Sequence, residues 1–329
     1  MRFLAIGDPH FKVNNQDETD IMCREIDTII DEVAPDVVVV LGDTLDRHDT
    51  VKTQVQERAV DWLASIKNKV TLVLLIGNHD LKSNDQFFST QHPFTALKEW
   101  DNTIVVDRAI RIDDIIFCPY VPPGRFHEAL SYVEDYRSAK LIFAHQEFRG
   151  VSIDNFISTV GDQWDEDEPP VVSGHIHQQS CPSSNILYTG TPIQQSYAEC
   201  PNKMIWIVTV NDDGFSTKER YLETTIKKRT ITLTIDDLEE YIPDKKSNEK
   251  VKAKIVCSDD ERVMLNKNLT ISSMKKLGYE ITYQIVPRGV DRSEFTNVIV
   301  KMRSWNDIML SKLSSRPHLA QLYSDIMRD

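Results

Sequence analysis

Val37-Val38-Val39-Val40-Leu41-Gly42-Asp43-Thr44-Leu45-Asp46-Arg47 decides the fold of this chain. Five consecutive apolar residues leave no polar face, so the run predicts a strand buried on both sides, as in a parallel sheet covered by helices. Gly42 lets the chain bend sharply, and the turn then presents two carboxylates and a guanidinium. The same pattern recurs on either side. Phe3–Ile6 reads as a strand running into Asp8-Pro9-His10, and Val70–Ile76 as a buried strand running into Gly77-Asn78-His79-Asp80. Apolar residues at helical spacing fill residues 19–33 and 53–66 between them. The alternation predicts α/β layering, in which ligands gather beyond the carboxyl ends of the strands.

After residue 100 the runs shorten. Ile104–Val106, Ile115–Phe117, Leu141–Phe143, Val171–Ser173, Ile186–Tyr188 and Met204–Val210 read as strands, predicting a second sheet that faces the first. Gly161–Pro170 reads as a solvated acidic loop without chemistry. From about Thr225 the pattern resets to strand (Thr230–Ile235), helix (Asp236–Tyr241), strand (Val251–Val256), helix (Asp260–Leu277) and strand (Glu280–Val286), a βαβαβ module. The expected organisation is a main domain over 1–224, a small α/β domain over 225–290, and a helical segment over 291–329 with its apolar residues at helical spacing.

The 329 residues carry a formal net charge of −13, which at face value disfavours a nucleic-acid partner. The charge is unevenly spread: residues 1–226 hold 19 Lys and Arg against 36 Asp and Glu, while residues 227–329 hold 19 against 15. Part of the acidic excess belongs to candidate metal ligands, whose charge bound cations would offset. Apolar stretches such as Val37–Leu41 are far too short to cross a bilayer, and no leader precedes Asp8, so an intracellular, cytoplasmic protein without a membrane association is expected. The five cysteines are scattered and form no C-x-x-C pair, which fits a reducing compartment and gives no sign of a zinc ribbon.

Two further histidine motifs, Ala144-His145 and Gly174-His175-Ile176-His177, also follow apolar runs. Asp8 and His10 lie two apart beyond a strand and point to one side, able to share an ion. Asp43 is the natural bridging carboxylate, Asn78 offers an amide oxygen, and His145, His175 and His177 complete two ligand shells. Imidazole and oxygen donors without thiolates suit Mn²⁺, Fe²⁺ or Zn²⁺. Two such cations answer the difficulties of phosphoester hydrolysis: an anionic target, a weak nucleophile and a poor leaving group.

In this order and spacing, the five motifs resemble the calcineurin-like metallophosphoesterase superfamily. The resemblance implies a four-layer α/β sandwich, two facing mixed β-sheets flanked by helices, here with a small capping domain. It implies that Asp8, His10, Asp43 and His177 hold one metal, and that Asp43, Asn78, His145 and His175 hold the other. His79 matches the family's non-ligand histidine, which protonates the leaving oxygen or steadies the phosphate, and Asp46 would orient it by a hydrogen bond. Protein phosphatases of this superfamily carry a glycine after the arginine and a glutamate after the histidine, where this chain has His48 and Asp80. The segment Leu187–Glu199, with Tyr188-Thr189-Gly190-Thr191-Pro192, is similar instead to SbcD-type double-strand-break repair and phage recombination nucleases, although Pro9 departs from their usual residue.

That narrower resemblance implies a two-metal, Mn²⁺-dependent DNA exo/endonuclease subunit acting at DNA ends. Its expected partners are an SMC-like ABC ATPase (SbcC-type), docked on the C-terminal helices, and a second copy of the chain. A helix pair from residues 53–66 and 85–99 is the place to look for the dimer contact. Lys227, Lys228, Arg229, Lys250 and Lys252 are candidate DNA-backbone contacts, with a solvated charged face as the competing reading. Phe87 and Phe88 read as loop packing rather than base stacking, and His92, His127 and His318 as surface residues. A small-molecule phosphodiesterase or phosphatase, and a non-catalytic DNA-end-binding scaffold, are the alternatives.

Overall fold

The computed structural model describes residues 1–287 apart from Asp49, Asp154, Asn155 and Asn266. The helical segment expected over 291–329, with His318, lies outside the described residues. In chain order the strands are β1 (Arg2–Ile6), β2 (Val37–Val40), β3 (Thr71–Leu75), β4 (Thr103–Val106), β5 (Ile110–Ile112), β6 (Ile115–Cys118), β7 (Leu141–His145), β8 (Ser152–Ile153) and β9 (Phe156–Ile157). They continue with β10 (Val171–Gly174), β11 (Ser180–Ser183), β12 (Ile186–Tyr188), β13 (Met204–Asn211), β14 (Gly214–Tyr221), β15 (Lys227–Leu233), β16 (Glu249–Cys257) and β17 (Glu280–Ile285). The α-helices are α1 (Gln16–Val33), α2 (Thr53–Lys67), α3 (Phe126–Leu130), α4 (Ile235–Glu240), α5 (Asp259–Leu265) and α6 (Leu269–Lys276).

Two six-stranded mixed sheets face each other, ordered β14-β13-β1-β2-β3-β4 and β11-β12-β10-β7-β6-β5. In each, four neighbouring strands are parallel and the additional strands antiparallel. Successive residues of β1 and β2 point to opposite faces, and both faces are apolar. Phe3, Ala5, Val39 and Leu41 meet Phe143, Val172 and Leu187 between the sheets, while Leu4, Ile6, Val38 and Val40 pack on Met22, Ile26, Trp62 and Leu63 of α1 and α2. Burial on both sides is why these strands read as unbroken apolar runs. The outer face of the second sheet is covered by Phe126 and Leu130 of α3 with Phe148 and Trp164, completing four layers.

A third sheet, β15-β16-β17, is wholly parallel, with α4 and then α5 and α6 as its crossovers. Leu238, Val251, Ile255, Ile271 and Met274 form its core. The single helix expected over 260–277 is two, because the Asn268 side chain accepts from Ile271 N at 3.0 Å and starts α6 afresh. This unit is tied to the first sheet's helical layer at Glu18, a buried residue of α1 whose carboxylate meets Lys228 Nζ at 2.8 Å and Lys250 Nζ at 2.6 Å.

Three expectations need correction. Residues 85–99 form a loop with only a short 3₁₀ turn at Thr95–Glu99, so the helix pair expected with 53–66 does not exist. His92 is not a surface residue: its imidazole is buried, 3.5 Å from the Asp107 carboxylate. The acidic loop after Gly161 is only partly solvated, since Asp162 accepts from Phe126 N and Gln146 Nε2, and Glu168 binds Arg137. Composition alone cannot show that this loop turns back onto α3.

Candidate metal centre

All five histidine, aspartate and asparagine motifs arrive at one place because they end parallel strands of the two sheets. The first two turns are zipped together by backbone bonds, His10 N to Asp43 O at 3.0 Å and Phe11 N to Thr44 O at 2.9 Å. The third turn joins them through His79 N, which donates to Asp43 Oδ1 at 2.8 Å, and through Asp80, whose carboxylate accepts from Leu45 N and Gly77 N. Asp80, marked in the sequence only as a departure from the phosphatase pattern, is a structural staple. Gly42 and Gly77 are needed for the approach: a Cβ on either would collide, with His145 in one case and with Asp43 in the other. His10, Asp43 and His175 have φ of 48°, 46° and 79°, left-handed values uncommon outside glycine. Strain of this kind persists where surrounding bonds over-determine the turn, as they do here.

The side chains converge in two groups that share one carboxylate. Asp8, His10 and Asp43 bring ligand atoms within 4.8 Å of one another, and so do Asp43, His145 and His175. His177 Nε2 lies 2.9 Å from His10 Nε2, adding a donor to the first group. Asn78 Oδ1 lies 3.1 Å from His145 Nε2 and 3.0 Å from His175 Nδ1, adding one to the second. The Asn78 amide is turned this way because its Nδ2 donates to Asn84 Oδ1. His145 Nδ1 donates to the Leu41 carbonyl at 2.7 Å, which leaves Nε2 for the cluster.

This arrangement fits divalent cations on its own geometry. Two imidazole nitrogens facing each other at 2.9 Å repel unless a proton or a cation lies between them, and donors about 2.1 Å from one ion sit roughly 3 Å apart. Asp8 Oδ2 and His10 Nδ1 are buried without a hydrogen-bond partner among the described residues. Such groups are costly to bury unpaired and point to a ligand. Burial pushes the Asp8 carboxyl up to about 7, opposed by His145. Burial also opposes ionisation of Asp43, but His145 and His10 outweigh it and hold Asp43 well below the usual range. His145 is itself lifted to about 9 against burial by Asp43 and Asp8, while burial holds His10, His175 and His177 low. The cluster thus sets neutral imidazoles at His10, His175 and His177, and a protonated one at His145, around an Asp43 carboxylate that stays charged.

His79 stands beside the cluster without joining it. Its ring is edge-on to His10 at 5.0 Å and stacked on His48 at 4.5 Å. Its Nδ1 donates to the backbone carbonyl of Asp46 at 2.7 Å, and its Nε2 has no hydrogen-bond partner among the described residues. Asp46 therefore meets His79 through its main chain, and its carboxylate turns instead to Lys12 Nζ at 3.0 Å. Among the proposed DNA contacts, Lys228 and Lys250 pair with Glu18, Arg229 with Glu249 and Lys252 with Glu280. Gln194 completes the joint: its side-chain Nε2 donates to the Lys228 carbonyl and its Oε1 accepts from Lys228 N. Nothing in the sequence signals Glu18, Gln194 or Asn84, whose partners are distant or depend on loop shape. Phe87 and Phe88 stack on each other and pack with Tyr132.

Two viral proteins are similar over most of this chain. "Putative phosphoesterase 244L" of Invertebrate iridescent virus 6 is 36% identical over 266 residues, 78% of this chain and 93% of that protein. "Putative phosphoesterase 078R" of Invertebrate iridescent virus 3 is 32% identical over 324 residues, 95% and 92% of the two chains. A solved structure, TT1561 of Thermus thermophilus, aligns at a TM-score of 0.41 with 8% identity over 66% of this chain and 98% of its own. Residues 1–192, which carry every donor described above, match the family model of the calcineurin-like phosphoesterases. With its paired donor groups at the strand ends of two facing sheets, the chain belongs to the calcineurin-like phosphoesterase family.

Proposed function

We propose that this phosphoesterase is a Mn²⁺-dependent DNA exo/endonuclease of the SbcD type that hydrolyses phosphodiester bonds at DNA ends in recombination and double-strand-break repair. The observation that carries the reading is His79, a histidine held by a carbonyl on one nitrogen, with the other free of hydrogen bonds among the described residues, next to the donor cluster. Asp8, His10, Asp43 and His177 would hold one cation, and Asp43, Asn78, His145 and His175 the other. Bound cations supply charge neutralisation for the phosphate and an activated water. His79, its Nδ1–H fixed by Asp46, holds a proton at Nε2 for the departing alkoxide, which general-acid catalysis requires. His48 limits rotation of the His79 ring by stacking on it.

A cleft of about 890 Å³ against His175 and His177, lined also by Thr189, Gly190 and Thr191, supports the nuclease reading over a small-molecule one by leaving room for a larger substrate. A small-molecule phosphodiesterase is the second reading, favoured by the ion pairs that occupy Lys228, Arg229, Lys250 and Lys252. The SMC-like ATPase partner and the homodimer belong to the same proposal. No helix among the described residues is long and apolar enough to cross a membrane.

Release of end-labelled nucleotides from linear duplex DNA in Mn²⁺, by the chain and by its His79→Gln variant, tests the proposal. Cleavage by the parent and not the variant supports it. Hydrolysis of a small chromogenic diester without DNA cleavage, with or without an ATPase present, moves the assignment to the second reading.

A further inference from the structure

The turn that follows β7 carries Glu147 behind the second donor group. His175 directs Nδ1 toward Asn78 Oδ1 at 3.0 Å, and its Nε2 lies 3.8 Å from Glu147 Oε2. The imidazole thus stands between the donor cluster and a carboxylate. Glu147 is itself held in place. Its main-chain carbonyl accepts from Asp162 N at 2.9 Å, and its Oε1 accepts from the hydroxyl of Ser158, a buried residue. Ser158 is fixed in turn: Gly161 N donates to its Oγ at 3.1 Å, and its own N–H donates to the Val151 carbonyl at 2.8 Å. One oxygen of Glu147 is therefore clamped while the other faces the ring.

The neighbouring histidine supplies a contrast. His177 Nδ1 lies 3.9 Å from Glu199 Oε1, and the side chains of Glu147 and Glu199 are equally shielded, 13% and 14% exposed. Glu199, however, meets the Lys203 ammonium at 2.7 Å and accepts from Gln195 N and Ser196 N, both at 3.1 Å. Glu147 meets no lysine or arginine among the described residues, so its charge remains available to His175.

We infer that Glu147 is a positioning residue for the second cation, its charge keeping the His175 ring proton on Nε2 and so leaving the Nδ1 lone pair for the ion. At 3.8 Å the contact is longer than a hydrogen bond, and the carboxylate acts through its field, which is little screened where both groups are shielded from water. A carboxylate or carbonyl at the second nitrogen of a metal-bound histidine fixes the tautomer and strengthens the ring as a donor. His145 divides its nitrogens in the same way, with the Leu41 carbonyl on Nδ1. The role rests on the two-cation reading of the cluster and holds for either class of substrate.

Calorimetric titration of Mn²⁺ into the metal-stripped full chain and its Glu147→Gln variant tests this without turnover. Gln keeps the shape and still accepts from Ser158, so the charge alone is removed. One of two equivalents should weaken by about 10–100-fold and the other by less than about twofold, with the denaturation midpoint of the metal-free chain unmoved. In His175→Ala, the equivalent that survives should be indifferent to Glu147→Gln. Ser158→Ala, which keeps the charge and releases the clamp, should weaken the same equivalent to a smaller extent, and it carries the test if Glu147→Gln misfolds. Unchanged affinity at both equivalents, equal losses at both, or an effect that persists in His175→Ala overturns the role. A loss that comes with a lower midpoint of the metal-free chain does so too, because Glu147 would then be merely structural. A parent chain that binds no Mn²⁺ in a saturable way counts against the cation reading itself, whereas two equivalents in the parent and no change in the variant count against Glu147 alone.

Discussion

Glu18 and the pair Asp8 and Asp43 are buried to the same degree, within a few per cent of complete, yet they handle their charge in opposite ways. Glu18 meets two ammonium groups and accepts contacts from a different part of the chain, so its charge is cancelled within the protein. Asp8 and Asp43 face each other and a ring of imidazoles, and one oxygen of Asp8 has no hydrogen-bond partner among the described residues. A compensated buried carboxylate joins two units. A pair of carboxylates opposed only by imidazoles that are themselves metal donors, with Asp43 held in a strained turn, is a place prepared for a cation.

Asp43→Asn breaks the comparison at its most sensitive point. It removes the carboxylate shared by both donor groups, so saturable binding of divalent cations should be lost and phosphodiesterase activity should fall by about 10³-fold or more, a loss of at least about 4 kcal/mol of transition-state stabilisation. Retained binding at both sites would show that Asp43 does not bridge. His79→Gln sharpens it from the other side: metal content should stay at the parental level while kcat drops by about 10²–10⁴-fold. A parallel loss of metal would make His79 a ligand instead.

On the compensated side, Glu18→Gln leaves Lys228 and Lys250 without their partner. Breaking a buried pair costs about 3–5 kcal/mol, and because Lys250 is partly exposed the lower end, about 3 kcal/mol, is expected in the denaturation midpoint. A change below about 1 kcal/mol would mean that the apolar contacts and Gln194 hold the joint unaided. The smallest effect concerns His92, which burial holds below the ordinary histidine range although Asp107 opposes it. Its folded-state pKa is depressed, so below about 6.5 the unfolded chain takes up the proton first and stability falls as the pH drops. Measured between pH 5 and 7.5, that slope, at most about 1.4 kcal/mol per pH unit, should flatten in His92→Gln.

How much of this is readable in the sequence follows from how far each residue's partner lies along the chain. The strands β1, β2, β3, β7 and β10 are legible because burial on both faces leaves unbroken apolar runs, and each donor is legible because it follows such a run directly. β5, β11 and β14 are not. They are edge or near-edge strands with exposed residues, Pro182 interrupts β11, and most of β14 is polar, so no apolar period marks them. Helix α1 begins at Gln16, three residues before the expected start, since its first turn contributes Glu18 to the joint rather than an apolar residue to the core. The hydrogen bond expected between Asp46 and His79 is made by the Asp46 carbonyl, and sequence does not tell main chain from side chain there. Asn84, Gln194 and the staple Asp80 act through loop geometry alone.

The account stands most directly on the prepared cation site, and a calorimetric titration of Mn²⁺ into the metal-stripped full chain tests it. Two saturable equivalents per chain are expected, one for each donor group around Asp43. A chain that binds no Mn²⁺ in a saturable way, or binds it as well when Asp43 is replaced by Asn, would contradict the account.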